Sequence, residues 1–364
     1  MEGNSTGDTE SSRIGSIDQL RGYAIFGMIV VNASVLFFKP VQKTLEGAEW
    51  FESFLYQIQH HRGVFTYADT IAPLFVFVVG MGMRLSWLRR NGIDGAGPTR
   101  RAMAKRNMIL ILIAFALYAG WLWDALMDIG MAGLLAILLI DKSPRARIAA
   151  AFGFVAVYQF LFMTTSYGTW LTHGVFSLEN PEYEPLLVRL TPLHHQLFAV
   201  RLNGGLLGPL SWVMMLLFGS AAYDVMAERN DRKIALWCLG WGGGLCGLAY
   251  GLHSEWPGVK DAWAFSAHDM TAPFPLWATG LCFFHLGAFY VVCDKVGFRI
   301  PTMTSVGQNP LVVYIAHFLI VGVAAGFVPD GFSLATGVLG FAIFWGIFAG
   351  AAYAMQRKKI FVKL

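Results

Sequence analysis

Two adjacent histidines and an aspartate stand directly before a long apolar run in this sequence. His60 and His61 precede Asp69 by nine and eight residues in the stretch QHHRGVFTYADTIAPLFVFVVG, and Asn32 lies within an earlier apolar run near residues 17–38. A histidine base oriented by a carboxylate, with an amide to hold a carbonyl or hydroxyl, is the set of groups that acyl transfer requires. A structural interpretation is equally open, in which the histidines lie at an interface and Asp69 only caps a helix.

Further polar residues occur inside or against apolar runs. Asp18 and Arg21 lie three residues apart on one face of a predicted helix, and they form either a structural ion pair or a donor-binding site. His317 lies about midway along a later run, after Asn309 and Tyr314, and it either bonds helices together or binds a ligand. Ionisable groups at membrane depth are costly, so these residues are candidates for function.

The sequence pattern also excludes several kinds of site. It contains no HExxH motif or clustered His and Cys ligands, and adjacent histidines on a helix point apart, so we expect no metal. It contains neither a GxSxG motif nor a glycine-rich phosphate loop. The four cysteines lie in apolar runs without a CxxC pair, which predicts packing residues rather than disulfides.

The elements that must position these residues are apolar helices. Hydrophobic residues make up 56% of the 364-residue chain and charged residues only 14%, which is typical of a polytopic membrane protein. We therefore predict an all-α integral membrane protein with about ten transmembrane helices of about 20 residues each. The predicted spans lie near residues 17–38, 70–88, 107–123, 127–140, 148–166, 209–226, 234–252, 273–293, 307–328 and 333–355.

Basic residues indicate the orientation of the chain. They are concentrated in alternate loops, and the positive-inside rule then places both termini in the cytoplasm and His60 toward the extracytoplasmic face. This orientation explains the net charge of +4 better than nucleic-acid binding, which we exclude. Residues 1–16 form a polar N-terminal tail, and residues 17–364 form a single transmembrane domain. Small residues four apart in GWGGGLCGLAYG predict close helix packing.

Five motifs together resemble one known family. RIGSIDQLRGYAIFGMIVVN, FTYADTIAPLFVFVVGMGMRLS, GPLSWVMMLLFGSAAYD, MTAPFPLWATGL and VGQNPLVVYIAH are similar, in order and spacing, to the heparan-alpha-glucosaminide N-acetyltransferase family and its bacterial relatives. The resemblance implies a multi-pass acyltransferase of a bacterial-type inner cell membrane, with the lipid bilayer around it. It implies acetyl-CoA as the cytoplasmic acyl donor, an amine or hydroxyl of a sugar or glycan as the acceptor on the opposite side, and commonly a homodimer.

The resemblance carries over residue by residue, with one departure. The span-one asparagine of the family falls on Asn32 and its aspartate on Asp69. The catalytic histidine of the family stands ten residues before that aspartate, where this chain has Gln59, so either His60 or His61 takes the role. The family's ninth-span motif falls on Asn309, Tyr314 and His317.

The hypothesis is therefore a membrane acetyltransferase. His60 or His61 deprotonates the acceptor, or carries the acetyl group, while Asp69 stabilises the imidazolium and Asn32 fixes the acyl carbonyl. Two alternatives remain: a glycolipid or small-molecule transporter or flippase, against which the sequence shows no evident inverted repeat, and a catalytically silent ligand-binding relative. The predicted substrate- and donor-binding residues are Asp18, Arg21, Asn309, Tyr314 and His317.

Overall fold

The computed structural model describes residues 14–61, 63–118, 122–173, 202–253, 262–329 and 331–362. Most of these residues are helical, and the one β contact among them is an isolated bridge between His61 and Val64. Most of the predicted polar tail lies outside the described residues. In chain order the α-helices are α1 (Gly15–Asn32), α2 (Ser34–Phe37), α3 (Glu49–Gln57), α4 (Tyr67–Asp94), α5 (Ala96–Leu117), α6 (Ala125–Ile137), α7 (Pro144–Thr164), α8 (Ser166–His173), α9 (Pro209–Ala227), α10 (Asp231–His253), α11 (Pro273–Phe289), α12 (Pro301–Gln308), α13 (Pro310–Ala324) and α14 (Leu334–Arg357).

Many of these helices are suited to a bilayer. Within the described ranges, seven are long and apolar enough to cross it, and α1 with the segment Ser34–Lys43 forms an eighth candidate that is bent by 46°. The prediction of an all-α polytopic membrane protein is thereby confirmed, whereas the number ten and the cytoplasmic termini stay predictions. The seven spans are Tyr67–Asp94, Pro144–Thr164, Gly205–Ala227, Asp231–His253, Pro273–Lys295, Pro310–Phe327 and Leu334–Arg357.

Two predicted spans, 107–123 and 127–140, correspond to α5 and α6. The apolar helix α6 contains only 13 residues, fewer than the about 20 that a straight crossing needs. Helix α5 contains 22 residues, but its first half is basic between Arg100 and Arg106. Helix α6 is therefore shorter, and the first half of α5 more charged, than the seven helices that are suited to cross a membrane.

The chain divides into two compact units, and both are discontinuous in sequence. The first unit comprises Met1–Glu52, Met226–Cys238 and Phe284–Lys363. The second unit comprises mainly Ser53–Val225 and Leu239–Phe283. Because each unit is assembled from separated stretches, the prediction of one transmembrane domain over residues 17–364 stays a prediction.

Within the second unit, α4 and α9 approach each other closely at glycines. A Cβ atom added at Gly80 would collide with the carbonyl oxygen of Leu216, and one added at Gly219 would collide with that of Phe77. The glycines of GWGGGLCGLAYG behave differently, since an added Cβ at Gly240, Gly244 or several of their neighbours meets no described atom within 4 Å. Close packing through small residues therefore occurs at α4 and α9. It also occurs between α10 and α11, since a Cβ added at Gly280 would lie 2.9 Å from the carbonyl oxygen of Gly242 in GWGGGLCGLAYG.

A buried ion network joins α4, α7 and α9. Arg84 Nε donates to Asp224 Oδ1 at 2.7 Å, and its Nη1 donates to the Ile140 carbonyl at 2.6 Å. Arg147, whose side chain is 0% exposed, donates to the other Asp224 oxygen and to Ser220 Oγ. Two guanidinium groups thus share one carboxylate, an arrangement in which the loss of the carboxylate would leave buried charge uncompensated.

Candidate active site

The predicted histidines lie in the loop between α3 and α4, within the second unit. The loop turns tightly at Gly63, whose φ of +77° is readily adopted by glycine, and a bridge joins His61 to Val64 across the turn. Phe65 then packs on Phe274 of α11, with ring centroids 5.4 Å apart. These contacts fix the loop relative to the helices behind it.

Asp69 caps the helix that follows this loop. Its Oδ2 accepts a hydrogen bond from the backbone N–H of Thr66 at 2.9 Å, and Thr66 Oγ1 lies 3.1 Å from the same oxygen. These two residues form a capping box at the start of α4. The Asp69 side chain is only 1% exposed. The structural interpretation of Asp69 as a helix cap therefore holds for one of its two oxygens.

The other oxygen of Asp69 holds His60. Oδ1 lies 2.5 Å from Nδ1 of His60. Because a buried carboxylate accepts hydrogen bonds, the proton belongs on Nδ1, which leaves Nε2 as the basic nitrogen. The His60 side chain is 46% exposed, and its Nε2 has no hydrogen-bond partner among the described residues. This is the geometry of a general base that is oriented by a carboxylate.

His61 has a different environment from that of His60. Its ring stacks on Tyr56, with centroids 3.9 Å apart and an interplanar angle of 12°. Its Nε2 lies 3.2 Å from the backbone carbonyl of Tyr56, to which it can donate a hydrogen bond. His61 thus packs on α3, whereas His60 is held by Asp69.

A second carboxylate interacts with His60. Asp124 caps α6, because its Oδ1 accepts a hydrogen bond from the backbone N–H of Ala125 at 2.6 Å. Burial raises the pKa of Asp124, while the Ala125 N–H and the electrostatic attraction of His60 oppose this rise. Asp124 is not among the residues predicted from the sequence. The signal that points to it is an acid directly before the apolar run of α6.

Asn32 and His317 form a pair within the first unit. His317 is fully buried, and its Nδ1 donates to the Val313 carbonyl at 3.1 Å. Its Nε2 is therefore an acceptor, and Asn32 Nδ2 donates to it at 3.1 Å. The Tyr314 ring lies against His317, with centroids 5.3 Å apart. Because Asn32 and His60 belong to different units, their predicted convergence stays a prediction.

Asn309 holds the end of the described chain. It lies at the break between α12 and α13, where its Nδ2 donates to the carbonyl of Ile360 at 3.2 Å. Its Oδ1 accepts from the backbone N–H of Val362 at 3.1 Å. The side-chain amide of Asn309 thus both donates a hydrogen bond to the backbone and accepts one from it, as a peptide group does. The predicted contact of Asn309 with a substrate stays a prediction.

Asp18 and Arg21 pair within α1. Their side chains are 3.5 Å apart and 14% and 21% exposed, respectively. Arg21 Nη1 also donates to the carbonyl of Gly307 in α12 at 3.2 Å. The contacts support the structural alternative for this pair, and its predicted role in binding the donor stays a prediction.

An open basic pocket lies at the end of α14 in the first unit. It has a volume of about 450 Å³ and is lined by Arg299, Arg357 and Lys359, together with Thr304 and Tyr353. Guanidinium and ammonium groups suit phosphate ligands. These basic residues are not among the predicted site residues, because basic residues next to a span are also explained by the orientation of the chain.

The fold and the histidine–carboxylate pair define a polytopic helical membrane protein with a candidate acid–base site. Residues 13–188 match the family described as "Heparan-alpha-glucosaminide N-acetyltransferase, catalytic". This match supports membership of the chain in that family, as the resemblance predicted, and suggests membrane acetyltransferase activity. It includes Asn32, His60 and Asp69, whereas Asn309, Tyr314 and His317 lie beyond it.

One curated relative is similar to part of the chain. The "Uncharacterized protein YxaH" of Bacillus subtilis (strain 168) is 25% identical over 167 residues, which are 43% of this chain and 40% of the relative. The chain therefore matches about two fifths of the length of YxaH. The similarity relates this chain to a bacterial protein without adding an activity.

Proposed function

We propose that this protein is an acetyltransferase that moves the acetyl group of cytoplasmic acetyl-CoA to an amine or hydroxyl of a sugar or glycan on the extracytoplasmic side. The observation that carries the proposal is the pairing of His60 Nδ1 with Asp69 at 2.5 Å, with Nε2 left accessible. The family match over residues 13–188 supports the same class of reaction.

His60 is the base in this proposal. Its Nε2 removes the proton from the O–H or N–H of the acceptor as the oxygen or nitrogen attacks the thioester carbonyl. The C–S bond then breaks, and the leaving thiolate of CoA takes up the proton from the imidazolium. Asp69 keeps the other proton on Nδ1 and stabilises the positive ring without itself becoming protonated.

Asn32 holds the acyl carbonyl in this proposal. The hydrogen bond to the Nε2 of buried His317 uses one of its two N–H bonds, at 3.1 Å. The other N–H can donate to the oxygen that becomes negative in the transition state, which is where such a bond lowers the barrier most. His317 therefore acts through Asn32 as a positioning residue.

The donor head group is assigned to the basic pocket. Arg299, Arg357 and Lys359 supply three positive side chains around a space of about 450 Å³. The phosphates of CoA are the part of the donor that such a cluster attracts. Under the predicted orientation this pocket faces the cytoplasm, where acetyl-CoA is available.

Acetyl transfer by the purified chain tests the proposal. The full chain in nanodiscs is incubated with radiolabelled acetyl-CoA and a panel of amino sugars and neutral glycans. We expect labelled acceptor from the unsubstituted protein, and a fall of about 100-fold or more in His60→Ala, since general bases contribute roughly 10²–10⁴ in rate. Release of one CoA per protein without acceptor would indicate an acetyl-histidine intermediate.

The matched control is His61→Ala. It removes the neighbouring imidazole, which stacks on Tyr56, and it should retain transfer within a few fold. Thermal unfolding of both variants shows whether they remain folded. Full transfer by a folded His60→Ala protein would remove His60 from the mechanism, and loss confined to His61→Ala would reverse the assignment. Movement of a glycan across liposomes without acetylation would favour a transporter.

A further inference from the structure

A buried carboxylate without a hydrogen-bond partner of normal geometry among the described residues lies in the second unit, beside the candidate active site. Asp128 of α6 is 0% exposed, and neither of its carboxyl oxygens has a partner of normal geometry in the part of the chain that the structure describes. The side-chain amide of Asn203 is near enough to act as a hydrogen-bond donor to Asp128, although the contact lies outside the normal geometry. Burial of an unsatisfied carboxylate costs several kcal/mol, so such a group calls for an explanation.

A second carboxylate with a free oxygen lies near the same polar groups. Asp269 is 5% exposed, and its Oδ1 has no partner among the described residues. Tyr158 donates a hydrogen bond to the backbone carbonyl of Asp269 at 2.5 Å, and the phenol interacts electrostatically with both Asp128 and Asp269. The two aspartates therefore belong to one buried polar cluster.

The loop after residue 202 builds one wall of this cluster. Asn203, Gly204 and Gly205 have consecutive positive φ angles of 54°, 79° and 56°. The loop is held by Tyr167, which donates to the Gly204 carbonyl at 2.5 Å, and by Asn203, whose Nδ2 donates to the Trp123 carbonyl at 3.1 Å. A Cβ added at Gly204 would lie only 2.9 Å from the Tyr158 hydroxyl. The glycine thus leaves room for the Tyr158 hydroxyl at a position that also disfavours other residues.

Helix α6 links the buried polar cluster to His60, the proposed base, because Asp124 and Asp128 both lie at its N-terminal end. Asp124 stands one helical turn before Asp128 and interacts electrostatically with His60. Among the described residues, no group of three His, Cys, Asp or Glu side chains is arranged to hold a metal ion. The free oxygens are thus better suited to an organic ligand that carries hydrogen-bond donors.

We propose that Asp128 and Asp269 form an acceptor subsite that binds O–H or N–H donor groups of the substrate and selects neutral or cationic acceptors over anionic ones. This inference rests on the proposed acetyl transfer, since the acceptor must reach His60. Carboxylates accept hydrogen bonds from hydroxyl and ammonium groups, and such charge-assisted bonds are stronger than neutral ones. A carboxylated or sulfated acceptor would meet like charge in a dry environment and be rejected.

Steady-state kinetics with three acceptors of equal size tests the subsite. The probes are glucosamine, glucose and glucuronic acid, and the proteins are the unsubstituted chain, Asp128→Asn and Asp269→Asn. We expect Asp128→Asn to raise the KM of the preferred acceptor about tenfold, as the loss of one charge-assisted hydrogen bond implies. The KM of acetyl-CoA should not change, and glucuronic acid should become a better acceptor. An effect on both neutral and amino sugars assigns the contact to hydroxyls, and an effect confined to glucosamine assigns it to the amine.

Controls separate this inference from the proposed function. Asp94→Asn removes an exposed acid of α4 and should leave every constant unchanged. Binding of the same sugars is also measured by the shift in thermal unfolding temperature, without acetyl-CoA. Binding that depends on Asp128 in a protein without acetyl transfer would keep the subsite and refute the proposed function. Acetyl transfer with unchanged acceptor KM in folded Asp128→Asn and Asp269→Asn proteins would refute the subsite alone.

Discussion

Asp69 performs two tasks with its two oxygens. One oxygen accepts the hydrogen bond of the Thr66 N–H and caps α4, while the other lies 2.5 Å from His60 Nδ1. A helix cap and a partner for a histidine appear as alternatives in the sequence, but the geometry combines the two contacts, and the catalytic role of the pair stays a proposal. The rigid start of a long helix is thereby used to fix the orientation of an imidazole in a loop.

The substitution Asp69→Asn should separate the two tasks. The side-chain amide that it introduces can still accept from the Thr66 N–H, but its NH₂ group donates to His60 and places the imidazole proton on Nε2, the wrong nitrogen. We expect acetyl transfer to fall by about 100-fold or more, with a loss of stability of no more than about 1 kcal/mol. Transfer assays and thermal unfolding measure the two effects.

Thr66→Val is the control for Asp69→Asn. It removes the Thr66 hydroxyl from Asp69 but leaves the carboxylate beside His60. Transfer should stay within about tenfold of that of the unsubstituted protein, because the proton remains on Nδ1. Equal losses in the two variants would mean that the carboxylate acts on the loop rather than on the imidazole.

Residue identity alone predicts only part of this site. The spacing of His60, His61 and Asp69 indicates an acid–base pair, but the choice between the histidines depends on the stacking of His61 on Tyr56, which no spacing rule contains. Asp128 and Asp269 are 141 positions apart in the chain. Both interact electrostatically with Tyr158 of α7, a contact that depends on tertiary structure, so the sequence offered only an acid in an apolar helix as a signal.

The sequence predicts the positions of the helices better than it predicts the contacts of single residues. Most of the predicted spans coincide with helices to within a few residues, because runs of about 20 apolar residues are explicit in the sequence. The sequence gives a weaker signal for α5 and α6, because neither contains an uncharged apolar run of about 20 residues. The N-terminal end of α6 lies near His60, while Asp141, shortly after its C-terminal end, pairs with Arg100 near the start of α5 at 2.8 Å. The two helices therefore run in opposite directions, but α6 is shorter than a straight crossing needs, so the predicted count of about ten spans stays a prediction.

The close contact between α4 and α9 predicts that a larger residue at Gly80 lowers the stability of the protein. Gly80→Ala places a methyl group where the carbonyl oxygen of Leu216 lies, so the helices must separate. We expect a clear fall in the thermal unfolding temperature, of several degrees. Gly244→Ala in α10 is the matched control, since its new methyl meets no described atom within 4 Å and alanine favours a helix. Equal unfolding temperatures of the two variants would contradict close packing at Gly80.

The orientation of the whole molecule is a prediction from its charges, and cysteine labelling can measure it. Glu52 and Asp94 are both exposed, and they lie on opposite sides of the predicted second span. A membrane-impermeant maleimide should label Glu52→Cys in intact cells and Asp94→Cys only after permeabilisation. The native cysteines are buried or partly buried, which limits background labelling. The opposite labelling pattern would place His60 in the cytoplasm and refute extracytoplasmic acetylation.

The hydrogen bonds of Asn309 suggest a way to measure the binding of a donor at the basic pocket. Residues 360 and 362 are attached by two hydrogen bonds to the break between α12 and α13. Lys359, which lines the basic pocket, directly precedes this attachment. A fluorophore at position 362 would therefore report the arrival of a nucleotide-bearing donor at the pocket. Its emission would give a real-time signal of donor capture that requires no turnover.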